Sequence, residues 1–196
     1  MLLAAAASAA LAALAAGAVR ADDNLLHGPH PFRKDNQLAL HVLVANGLGD
    51  SMSGTKIGLD YGYKLTSGPF PLGVDLAFNL QHGACTQGST ATVCGQDTGS
   101  VFETLAGVRW SFATPIPLVP FAAVQTGFVF SFPNSADAGW GITGRGVGGA
   151  NYFFFDWLGL GAQVGMSLGI INYDASFIGS HTYAIFDLGG GLELQF

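Results

Sequence analysis

Charged residues are scarce in this chain, 10% of the total, and many of them stand at alternate positions inside otherwise apolar stretches. Lys56 and Asp60 lie in TKIGLDYGYKL (55–65), Asp75 in PLGVDLAFNLQ (71–81), Glu103 and Arg109 in VFETLAGVRWSF (101–112). Arg145 lies in GITGRGVGGANY (141–152) and Asp187 in HTYAIFDLGGGLELQF (181–196). Acids and bases set among leucines must pair with one another, because an unpaired ion in a low-dielectric interior is costly. The chemistry expected of these seven residues is therefore a polar network that fills an enclosed interior. A conducting or gated pore would use the same groups, and nothing local in the sequence separates the two.

Other reactive types are few. Cys85 and Cys94 flank TQGSTATV in a polar segment, and an even pair in an exported chain suggests a disulfide. Such a bridge would close about ten residues and contribute on the order of 2–3 kcal/mol. His27 and His30 have no further ligand clustered with them, and Pro29 between them prevents helical presentation. His41 shares the parity of the charged residues on the first apolar segment. Ser180 and His181, with Ser176 nearby, are the types a lipid-modifying hydrolase would need. Adjacent strand residues point to opposite faces, so Ser180 and His181 do not form a nucleophile–base pair. No catalytic, cofactor or metal site is expected.

The elements that carry these residues have a period of two. In 55–65, Ile57, Leu59, Tyr61, Tyr63 and Leu65 form one face; in 71–81, Leu72, Val74, Leu76, Phe78 and Leu80 do. LGLGAQVGMSLG (158–169) repeats the pattern, and 37–45, 101–112, 118–130, 141–152 and 181–196 are compatible with it, which makes eight strands. The segments 66–69, 114–117 and 153–157 are short, whereas 46–54, 82–99, 131–139 and 170–180 are longer and mostly polar. Short and long connections alternate, as in an up-and-down antiparallel meander.

Composition narrows the class. Residues 1–21, rich in Ala and Leu and closing on Val19-Arg20-Ala21, read as a secretory signal peptide, and 22–36 as a periplasmic N-terminal extension leading to a domain at 37–196. Removing the signal takes away Arg20 and no acid, leaving the chain one unit more acidic than its full-length −6. Nucleic-acid binding has no electrostatic support. Beyond the leader no run of about 18 apolar residues occurs, so membrane helices are not expected.

An eight-stranded barrel has a lumen that side chains just fill, so the small and charged face fits inside and the large apolar face outside, toward lipid. Aromatics agree: Tyr63, Phe70, Trp110, Phe112, Tyr152, Phe153 to Phe155, Trp157 and Phe196 fall near the short-turn end, Phe102, Phe128, Phe130, Trp140 and Tyr183 near the long-loop end. The leader, the eight alternating segments, VPFAAVQTG, ANYFFFDWLGLGAQVG and the terminal LELQF resemble small outer-membrane β-barrels of the OmpA/OmpX-like superfamily. That resemblance implies an all-β, eight-stranded antiparallel transmembrane barrel in the cell outer membrane, in contact with its lipids. It also implies that Leu192, Leu194 and Phe196 form the C-terminal signal read by the outer-membrane assembly machinery. The role expected is non-catalytic, structural or surface-interacting, through a surface ligand the sequence does not name. A narrow pore for small or amphiphilic solutes and a lipid A-modifying enzyme are the alternatives.

Overall fold

A computed structural model describes residues 34–49, 51–66, 70–85, 98–112, 114, 116–134, 137–173 and 180–196. Eight strands run in order: β1 Asn36–Gly47, β2 Met52–Lys64, β3 Leu72–Cys85, β4 Thr98–Ser111, β5 Leu118–Pro133, β6 Gly139–Phe155, β7 Leu158–Tyr173 and β8 Ser180–Gln195. Each pairs antiparallel with its neighbour in sequence, and β8 pairs back onto β1, closing a barrel. Closure leaves no sheet edge between β1 and β8, the condition for placing β structure in lipid.

Alternation decides which side chains go where. Ile57, Leu59, Leu76, Leu80, Val124, Leu160, Met166, Leu168, Leu188 and Leu192 are exposed on the outer wall, while Ala39, Ala77, Asn79, Ala123, Gln125 and Ser167 are buried inside. Exposed large apolar residues over a whole wall are wrong for water and right for hydrocarbon.

The strands reach further toward the long loops than the sequence pattern predicts. The β1–β2 connection shrinks from 46–54 to Leu48–Ser51, where Gly49 adopts φ +64°, a left-handed conformation that favours glycine. Strand β6 begins at Gly139 and β7 continues to Tyr173, so parts of the expected loops 131–139 and 170–180 are wall. These extensions alternate less cleanly, and backbone pairing with a regular neighbour carries them. At the other end β6 runs through Phe155, and a register shift between Phe153 and Phe155 fits two phenylalanines and a tight Asp156–Trp157 turn.

Two aromatic assignments change. Phe153 and Tyr183 are buried and project inward, because each has the parity of the lumen face. The remaining turn-end aromatics Tyr63, Phe70, Trp110, Phe112, Tyr152, Phe154, Phe155, Trp157 and Phe196 are exposed.

Candidate functional site

All seven charged residues singled out in the sequence project into the lumen and are buried. The central group joins five strands. Lys56 on β2 is fully buried and places Nζ 3.0 Å from Glu103 Oε2 on β4 and 2.9 Å from Asp187 Oδ2 on β8. Arg145 on β6 donates from Nη2 to Asp187 Oδ1 at 2.8 Å. Asn79 Nδ2 donates to Glu103 Oε2 at 3.1 Å, and the Tyr183 hydroxyl donates to Glu103 Oε1 at 2.9 Å. Each carboxylate therefore accepts from several donors, the condition under which a buried ion pair holds.

Room for this group comes from a missing side chain. A Cβ at Gly165 would stand 2.6 Å from Asp187 Oδ1 and 2.9 Å from Arg145 Nη2, so glycine on β7 is what lets the pair cross the lumen.

A second group lies nearer the turn end. Arg109 Nη2 donates to Glu193 Oε2 at 2.8 Å, its guanidinium carbon stands 3.9 Å over the Phe121 ring, and Asn151 Nδ2 donates to the same Glu193 oxygen at 2.5 Å. Asp75 accepts from Gln125 Nε2 at 2.7 Å. Between the groups, His41 Nε2 lies 3.0 Å from Asp60 Oδ2.

Toward the loops the lumen turns apolar. Ala45, Met52, Val101, Val129, Ile171, Tyr183 and Ile185 form one buried cluster inside the wall. Here the expectation that large apolar side chains all face outward fails. These residues sit on the lumen parity of regular strands, where the polar networks below do not reach, so they fill space as a hydrocarbon core would. Parity alone places Asn79, Gln125, Asn151 and Glu193 inside too; their partners depend on register, which no single strand's sequence states.

The remaining candidates separate. Cys85, expected within the longest loop, is the last residue of β3, held in the sheet by pairing with Met52; Cys94 lies outside the described residues. His27 and His30, the leader 1–21 and most of the 22–36 extension also lie outside them. Ser180 and His181 are consecutive on β8 and face opposite sides; His181 packs edge-on against Tyr173. Leu192, Leu194 and Phe196 share the outer face, and the Phe196 N–H donates to Asn36 O at 3.0 Å while the Phe196 carbonyl oxygen accepts from Asn36 N–H at 3.1 Å.

Closed topology, an apolar outer wall with aromatic ends and a filled polar lumen define a small eight-stranded transmembrane β-barrel. Neisserial surface protein A matches it at TM-score 0.58 with 14% identity over 82% of this chain and 96% of that one. Ail, the attachment invasion locus protein of Yersinia pestis, solved with the heparin analogue sucrose octasulfate, matches at 0.51 with 9% identity over 82% and 99%. The fold is thus that of small outer-membrane barrels. No protein-family model matches the chain, and no curated protein matches its sequence.

Proposed function

We propose that this protein is a non-conducting, non-catalytic barrel of the outer membrane that acts structurally or through surface interactions of its loops. The observation that carries the reading is the filled lumen: the Lys56–Glu103–Asp187–Arg145 group spans it, and the apolar cluster around Val129 and Ile185 lies above. A cleft at the turn-end mouth, beside Lys34, Tyr63 and Gln195, has room for about one water. An eight-stranded wall leaves no space for both this filling and a water column.

Planar-bilayer recording of the refolded protein should give no discrete conductance steps, and mass spectra of lipid A from cells with and without it should be the same. Reproducible channels would favour a solute pore, and a changed acylation pattern an enzyme.

By sequence the long connections are acidic. The seven Lys and Arg residues are Arg20, Arg33, Lys34, Lys56, Lys64, Arg109 and Arg145, so the loop ends carry none, whereas Asp50, Asp97, Asp137 and Asp174 fall there. Sulfated-saccharide recognition of the kind named for Ail needs cations and has no support here. The reading includes a cleaved leader at 1–21, a Cys85–Cys94 disulfide, and Leu192, Leu194 and Phe196 as the segment read by the assembly machinery.

A further inference from the structure

The outer wall is not equally apolar all the way round. Strands can be compared at the fourth residue in from the loop end, which faces outward on six of them. On β1, β5, β6 and β7 this residue is Val44, Phe130, Ile142 or Ile170, with Ile142 and Ile170 60% and 51% exposed. On β2 and β3 it is Thr55 or His82.

Register makes the polar residues a row. Thr55 pairs with His82, and His82 with Ser100 on β4, where His82 Nδ1 and Ser100 Oγ lie 3.1 Å apart. One outward repeat closer to the loops the contrast holds against β5 and β6, with Ser53, Ala84 and Thr98 on this side and Phe132 and Trp140 on the other, while β7 there carries Asn172.

Hydroxyl and imidazole groups held in hydrocarbon without water lose several hydrogen bonds, and the His82–Ser100 contact replaces only one. Isoleucine and phenylalanine at matched depth have the opposite preference. One flat bilayer boundary cannot suit both walls.

We infer that the polar headgroup zone of the outer leaflet reaches down the β2–β4 wall one outward repeat deeper, about 6–7 Å of strand, than on β5–β7. There it hydrogen-bonds to Thr55, His82 and Ser100. The barrel tilts or the leaflet thins locally to meet it, both modest adjustments. No Lys or Arg occupies the loop ends, so hydroxyl and imidazole groups make the contact. The inference rests on the membrane reading above.

A lysine scan at matched depth tests it. In phosphatidylcholine vesicles, Ile142→Lys and Ile170→Lys should lower the folded-to-unfolded ratio by about 30-fold or more, as a buried lipid-facing charge does, whereas Thr55→Lys should lower it by less than about fivefold. Equal losses at Thr55 and Ile142, large or small, would overturn the inference. A triple Thr55→Leu, His82→Leu, Ser100→Leu chain gives a second readout: its most favourable acyl-chain length should be longer than the parent's, and an unchanged optimum counts against the idea. Failure of the parent chain to fold into vesicles at all would instead sink the membrane reading itself.

Discussion

Lys56 has no accessible surface and sits between two carboxylates from different strands, so its removal leaves like charges facing each other in the lumen. Lys56→Met should destabilise the folded barrel by about 3–5 kcal/mol, the cost of breaking a buried pair from one side. Urea unfolding in detergent micelles would measure it. A change under about 1 kcal/mol would mean that water already reaches the site. Gly165→Ala approaches the same network sterically, since its methyl would meet Asp187 Oδ1 at 2.6 Å. A loss of about 1–3 kcal/mol is expected, with Arg145 or Asp187 forced off its rotamer. A combined loss in Gly165→Ala/Arg145→Met smaller than the sum of the two single losses would identify that collision as the cause.

At the scale of the strand, sequence and structure agree on the middle of each element and part at its ends. Ile57, Leu59 and Tyr63 against Lys56 and Asp60 display their period without help from neighbours. The loop-end pieces, Gly139-Trp140 on β6 and Ile170 to Tyr173 on β7, are wall because the strand beside them continues, information that lies elsewhere in the chain. The candidate network was legible in the same uneven way. Parity along a strand tells inside from outside, which identifies Lys56, Asp60, Asp75, Glu103, Arg109, Arg145 and Asp187. It says nothing of partners: Arg109 chooses Glu193 and Asp75 meets Gln125 because of stagger around the barrel. Strand β8 adds its own test. Phe196 exchanges two backbone hydrogen bonds with Asn36 where the sheet closes. Deleting Phe196 should lower the amount of assembled barrel in the outer membrane while leaving the exported amount unchanged, scored by cell fractionation and protease protection.

For the molecule as a whole, the fold predicts behaviour that a water-soluble barrel would not show. Unboiled protein should migrate differently from boiled protein on SDS gels, because a closed sheet with apolar walls persists in detergent until heated. It should acquire β structure by circular dichroism only when detergent or lipid is supplied. A monodisperse, detergent-free folded monomer would contradict the arrangement of Leu160, Leu188 and Leu192 toward lipid.

The buried cations Lys56, Arg109 and Arg145 stand on three different even-numbered strands, yet all three meet a carboxylate of β8, Asp187 or Glu193. That strand is the last of the eight to be synthesised. A chain cut short before it therefore lacks more than a stretch of wall: Arg109 and Arg145 lose their nearest carboxylates, and Lys56 keeps Glu103 but loses Asp187. Products cut before β8 should consequently find no stable resting place in the bilayer and stay open to degradation, so the charge arrangement doubles as a check on the completeness of the barrel.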